Sequence, residues 1–119
     1  MKRELKQMYL TTINKALRHV VNESRRLSSR PTRDLYYMRR EPVTEEGIKY
    51  LRQLGVIGEP VVKMRMRDYY PNDARGYRRP VYPVNFERAE YLLGRLEAID
   101  RQGRETGERR FRINVQEIS

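Results

Sequence analysis

Arginine and tyrosine side chains are interleaved through residues 61–84, which read VVKMRMRDYYPNDARGYRRPVYPV. The segment holds six cations, two acidic residues and four tyrosines. Guanidinium groups bind phosphates through two parallel hydrogen bonds, and tyrosine rings offer flat faces on which bases stack. This chemistry favours a nucleic acid as the partner. The candidate contacts in the segment are Arg65, Arg67, Tyr69, Tyr70, Arg75, Tyr77, Arg78, Arg79 and Tyr82.

The surplus of positive charge is large and unevenly distributed. The chain has 119 residues, with 26 Lys and Arg against 16 Asp and Glu, and a net charge of +10. Residues 1–30 are net +6 and residues 61–84 net +4, whereas residues 31–60 and 85–119 are each neutral. Such a balance favours a polyanionic partner, DNA or RNA. A second group of candidate contacts lies at the end of the first predicted helix: Arg18, Arg25, Arg26 and Arg30.

Other interpretations of the same residues stay open. The tyrosines also suit the cover of a hydrophobic core, and we expect that role for two of the four. Arg and Tyr are frequent anchors of protein interfaces, so the alternative function is a structural subunit of a larger viral or nucleoprotein assembly. The same loop would then bind another protein or a second copy of the chain. Unpaired tyrosines favour single strands or RNA, and a helix beside a hairpin favours duplex DNA.

The chain has few of the residue types that enzymes use. It lacks cysteine, which excludes disulfides and thiolate metal sites, and His19 is its single histidine. We therefore expect no enzyme, no catalytic residue, no metal site and no cofactor. One enzymatic alternative is a small ribonuclease of the ribosome-dependent kind, which would use Arg75, Arg79, Tyr69 and Tyr77.

No apolar run approaches the roughly 18 residues that a membrane span needs. No apolar region follows Lys2 and Arg3, as it would in a signal peptide. We expect no membrane association and a cytoplasmic, intracellular location, or a virion if the protein is viral.

Apolar residues at steps of three and four predict three main helices. The first covers residues 2–27 and, at ~1.5 Å per residue, would be about 38 Å long. That length predicts an end that protrudes or packs on another chain. Residues 32–40 are compatible with a short helix or a strand, and the pattern slightly favours a helix.

The second helix is predicted within residues 43–56. Thr44 is a suitable N-cap, two glutamates follow it, and Gly55 supplies a left-handed exit. The outward residues Lys49, Arg52 and Gln53 include hydrogen-bonding types that read base edges.

The third helix covers residues 86–102, with Asn85 as its cap, and residues 103–107 are predicted to form a flexible connection. Alternating apolar residues predict strands at 62–66 and 111–115, which we expect to pair. Prolines at positions 80 and 83 predict an edge strand or an extended arm between them.

The predicted fold class is α+β, with three main helices and a small antiparallel sheet or hairpin in one domain, 1–119. Its segments are a long basic amphipathic helix in 1–30, a short helical pair in 31–60, the strand and Arg/Tyr loop in 61–84, and a helix and final strand in 85–119. Residues 44–51, TEEGIKYL, resemble the start of a helix in winged-helix domains. That resemblance implies a winged-helix-like order, with helices before a β-hairpin whose tip carries cations.

Overall fold

The computed structural model describes residues 6–27, 35–61, 80–108 and 110–119. These residues form an α+β fold with three long helices, one short helix and two small antiparallel sheets, which confirms the predicted fold class. The elements in chain order are β1 (Gln7–Tyr9), α1 (Leu10–Leu27), β2 (Tyr36–Met38), α2 (Glu45–Gln53), β3 (Val81–Pro83), α3 (Phe86–Thr106), β4 (Arg112–Asn114) and α4 (Val115–Ile118). None of the helices in these ranges is both long and apolar enough to cross a membrane.

Helix α1 packs against both other long helices. Five apolar residues of its predicted stripe are fully buried, whereas Leu27 at its end is 37% exposed. Each buried Val, Leu or Ile side chain stabilises the fold by about 1.5–3 kcal/mol relative to exposure. The buried members are Ile13, Ala16, Leu17, Val20 and Val21. Helix α3 buries Ala89, Leu92 and Leu96 against the same core.

The two sheets join distant parts of the chain. In the first sheet β1 pairs with β4, and the facing side chains Met8 and Ile113 are both fully buried. In the second sheet β2 pairs with β3, with Tyr37 opposite Tyr82. On its other side β3 is bridged to Val61, so that the strand predicted between the two prolines has neighbours on both sides.

The predicted start of the first helix is wrong, because residues 7–9 form β1 and α1 begins only at Leu10. The strand places Met8 in the core, and its outer edge is covered by Tyr50, whose hydroxyl accepts a hydrogen bond from the Tyr9 N–H at 3.3 Å. The described α1 is 18 residues long, shorter than the predicted range of 2–27.

Three other element predictions need correction. The favoured helix over residues 32–40 is wrong where the structure describes it, because Tyr36–Met38 is a strand held by β3. Residues 103–106 continue α3, and the helix ends at Gly107 with φ 76°. The final strand pairs with β1, whereas its predicted partner, 62–66, lies outside the described residues.

Helix α2 follows its local sequence signals closely. The Thr44 side chain accepts a hydrogen bond from the Gly47 N–H at 3.1 Å, which confirms the N-cap. At the other end the Val56 N–H donates to Leu51 O and the Gly55 N–H donates to Arg52 O. With Gly55 at φ 77°, these are the two bonds of a Schellman ending.

Helices α1 and α2 approach closely at Gly47. A Cβ atom at this position would lie 3.2 Å from the Cβ of the fully buried Ala16, whereas a Cβ at Gly94 of α3 would have nothing within 4 Å. We expect Gly47→Leu to lower the free energy of unfolding by about 1–3 kcal/mol through overpacking. The matched change Gly94→Leu should leave it equal or raise it by up to about 1 kcal/mol, because glycine is a poor helix former. Urea unfolding measures both, and equal effects at the two sites would contradict the close helix contact.

Candidate nucleic-acid interface

The Arg/Tyr segment begins and ends at one place on the molecule. The Val61 N–H donates to Val81 O at 2.6 Å, and the Val81 N–H donates to Val61 O at 3.3 Å. Val61 and Val81, which are 20 residues apart in the segment, are therefore adjacent in the structure. Most of the predicted contacts lie outside the described residues: Arg65, Arg67, Tyr69, Tyr70, Arg75, Tyr77, Arg78, Arg79 and also Arg30.

A cleft of about 280 Å³ lies beside the paired ends of the segment. Two of its residues, Pro80 and Tyr82, belong to the C-terminal end of the segment. The others come from the end of β2 and the outer face of α2, and the described residues of the lining are Arg39, Glu45, Ile48, Lys49, Arg52, Pro80 and Tyr82. We call this the α2 cleft. It places three cations and one carboxylate around an aromatic ring.

The cations of the α2 cleft differ in how firmly they are held. Arg39 is half-buried, and its Nη1 donates to Val43 O at 3.1 Å, which fixes the guanidinium at the cleft wall. The Arg52 side chain is 31% exposed and pairs at 2.6 Å with Glu59, whose side chain is 83% exposed. Such a solvated ion pair contributes less than about 1 kcal/mol. A phosphate oxygen can therefore replace the Glu59 carboxylate at little cost.

Tyr82 has a structural role as well as a place in the cleft. Its side chain is half-buried and packs against the core, as we expected for two of the four tyrosines in the segment. Ile48, also in the cleft lining, is almost fully buried. The cleft therefore has an apolar floor and a cationic rim.

The three described arginines of the second candidate group are all paired with carboxylates. Arg25 meets Glu90 of α3 at 2.6 Å, and Arg18 lies 3.9 Å from Glu97 of the same helix. Arg26 pairs within α1 with Glu23 at 3.0 Å. Their side chains are more than half exposed, but the positive charge at this end of α1 is offset by acidic residues that come largely from α3.

The structure thus brings together a set of residues that differs from the predicted one. Tyr82 lies with Lys49 and Arg52, which the sequence indicated as outward residues of α2 of types that read base edges. It also lies with Arg39, which the sequence prediction missed. Arg39 was placed in a predicted helix. The pairing of β2 with β3 brings it to the cleft, and no local pattern around Arg39 predicts that pairing. Arg18 and Arg25 lie instead along the seam between α1 and α3.

No family model, no curated protein and no solved structure matches this chain.

The single histidine has a structural partner. His19 Nδ1 lies 2.8 Å from the hydroxyl of the buried Tyr37, with the two rings edge to face. Burial lowers the pKa of His19 below its ordinary value, Glu23 acts in the opposite direction, and Arg40 lowers it further. Within the described ranges no three His, Asp or Glu residues are grouped so as to hold a metal ion.

The lowered pKa of His19 predicts a loss of stability on acidification. The unfolded chain takes up the His19 proton first, below its ordinary pKa of 6.5, so the folded state is progressively disfavoured as the pH falls through this range. Urea unfolding between about pH 7.5 and about pH 5.5 should show the midpoint falling for the wild type. The variant His19→Gln should show a flatter dependence. Parallel curves for the two proteins would assign the titration to another group.

Proposed function

We propose that the chain is a small basic nucleic-acid-binding protein that contacts phosphates through its Arg/Tyr segment and binds without catalysing a reaction. The observation that supports this most directly is that the two ends of the segment lie next to each other. The Val61–Val81 backbone pair brings both ends of a segment with six cations and two acidic residues next to the α2 cleft. The described end of the segment, with Pro80 and Tyr82, therefore lies beside the cations of the α2 cleft.

The distribution of charge supports the same region. The described residues carry fifteen cations and twelve acidic residues, a net charge of +3, and residues 62–79 alone add +4. Cations that neutralise phosphates release bound counterions, so affinity should fall steeply with salt. A nucleic-acid partner also implies an intracellular location, or a virion in a viral setting. DNA and RNA both offer the phosphates that this proposal needs.

Arg18, Arg25 and Arg26 enter the proposal as secondary contacts. Each would have to exchange a carboxylate for a phosphate, and the gain from such an exchange is smaller than that from an uncompensated cation. Their contribution to affinity should therefore be lower than their number implies, although their exposed side chains allow the exchange.

Two triple variants with equal loss of charge test whether the Arg/Tyr segment contributes more to affinity than the arginines of α1. Changing Arg75, Arg78 and Arg79 to Ala should weaken binding to a labelled duplex and reduce the log–log salt slope by about 2.7, or 0.9 per phosphate contact. Changing Arg18, Arg25 and Arg26 to Ala should reduce the slope by less, because acidic residues already offset these charges. Fluorescence anisotropy over a salt series measures both. Unchanged affinity in the first variant, with the fold intact by circular dichroism, would contradict the proposed contact segment.

The alternative function, a structural subunit of a larger assembly, is favoured by one surface feature. Phe111 is 75% exposed and lines a groove of about 410 Å³ together with Leu10, Leu96 and Ile99. Large exposed apolar side chains beside a groove are typical of protein interfaces. Retention on heparin over a salt series, combined with a size measurement, separates the two functions. Weak, salt-insensitive retention and a defined oligomer would support the assembly subunit.

A further inference from the structure

We propose that the α2 cleft binds one unpaired nucleotide, so that the protein prefers single-stranded nucleic acid to a duplex. This inference rests on the proposed function and names the class of nucleic acid. It uses described residues only: the cationic rim of Lys49 and Arg52, and the apolar floor of Ile48, Pro80 and Tyr82.

The chemistry of the cleft matches a nucleotide better than a free anion. A nucleotide has a flat aromatic base on one side of its sugar and a phosphate on the other. Tyr82 and Pro80 offer a surface for the base, because aromatic side chains stack on any base regardless of sequence. Lys49 is exposed on α2, and Arg52 pairs with the solvated Glu59, so both can meet the phosphate.

The size of the cleft favours an unpaired base. Its volume of about 280 Å³ lies near the lower end of the range for small-molecule sites, about 300–1,000 Å³. One base with its sugar suits this space, whereas a base pair does not. A duplex keeps its bases stacked and offers its phosphates at the surface, but the bases of a single strand can turn outward into a protein cleft.

Glu45 sets the orientation of the bound nucleotide. This carboxylate lines the same cleft and repels a phosphate, so the phosphate binds on the Lys49 and Arg52 side. A carboxylate can instead accept a hydrogen bond from a base amino group. The nucleotide therefore lies with its phosphate towards the outer face of α2 and its base towards Tyr82.

The test compares the double variant Lys49→Ala, Arg52→Ala with a control of equal charge, Lys15→Ala, Arg101→Ala. Both control residues are exposed and neither lines the cleft. Anisotropy titrations use labelled oligodeoxythymidine, oligouridine and a DNA hairpin duplex, each over a salt series. For the two single strands the cleft variant should lower the salt slope by about 0.7, because Lys49 and Arg52 meet the single phosphate of the bound nucleotide. Affinity for the duplex should match that of the control.

Tyr82 is tested separately, because its ring contributes stacking and not charge. Tyr82→Leu should weaken binding of the single strands by about fivefold or more while leaving the duplex unaffected. Tyr82→Phe keeps the ring and should bind like the wild type, which provides the control if the leucine variant loses stability by circular dichroism.

The outcomes separate this inference from the proposed function. Selective loss of single-strand binding in the cleft variant supports the inference, and the two oligonucleotides show whether the unpaired strand is DNA, RNA or either. Equal loss for single strands and duplex, or no loss beyond the control, overturns the inference. If the Arg75, Arg78 and Arg79 variant still weakens binding in that case, the proposed function stands. A wild-type protein that binds none of the three probes overturns both.

Discussion

The burial of one face of α1 between α2 and α3 is the interaction on which the described fold depends. The face carries Ile13, Ala16, Leu17 and Val20, all fully buried, and it admits α2 closely because Ala16 meets the bare backbone of Gly47. Both sheets contact α1, and the first is closed by the fully buried pair Met8 and Ile113. Strands of three residues have little stability in isolation, so the helices supply most of the hydrophobic free energy that holds them.

The packing of α1 against α3 also determines which arginines are paired with acidic residues. Antiparallel α1 and α3 align arginines of one helix with glutamates of the other, as in Arg25 with Glu90 and Arg18 with Glu97. Cations of α2 have a different environment: the acidic partner of Arg52 is the solvent-exposed Glu59, and Lys49 faces the cleft. A net charge counted along the sequence therefore overstates the uncompensated positive charge of α1, where Arg18, Arg25 and Arg26 are paired with carboxylates.

How far the sequence predicts the structure depends on the range of each signal. Helix α2 was predicted with its cap and exit, because Thr44 and Gly55 act on backbone groups within a few residues. The start of α1 and the strand β2 were not, since Met8 is held by Ile113 and Tyr37 by Tyr82, far away in the chain. The candidate site also combines residues indicated by local sequence with residues that only distant contacts bring together. Residue type alone makes the Arg/Tyr segment and Tyr82 candidates, but the grouping of Arg39 with Lys49 depends on strand pairing.

The backbone pair between Val61 and Val81 links the fold to the proposed function. Strand β3 is held on one side by β2 and on the other by Val61, and Pro83 O accepts a further hydrogen bond from the Gly58 N–H. These bonds fix the point where the cationic segment joins the protein and hold Tyr82 against the core. A contact segment whose two ends are fixed loses less conformational entropy on binding than one with free ends. The two ends of the segment are ordered during folding, so the phosphate binding proposed for it would not require that part of the conformational entropy to be lost again.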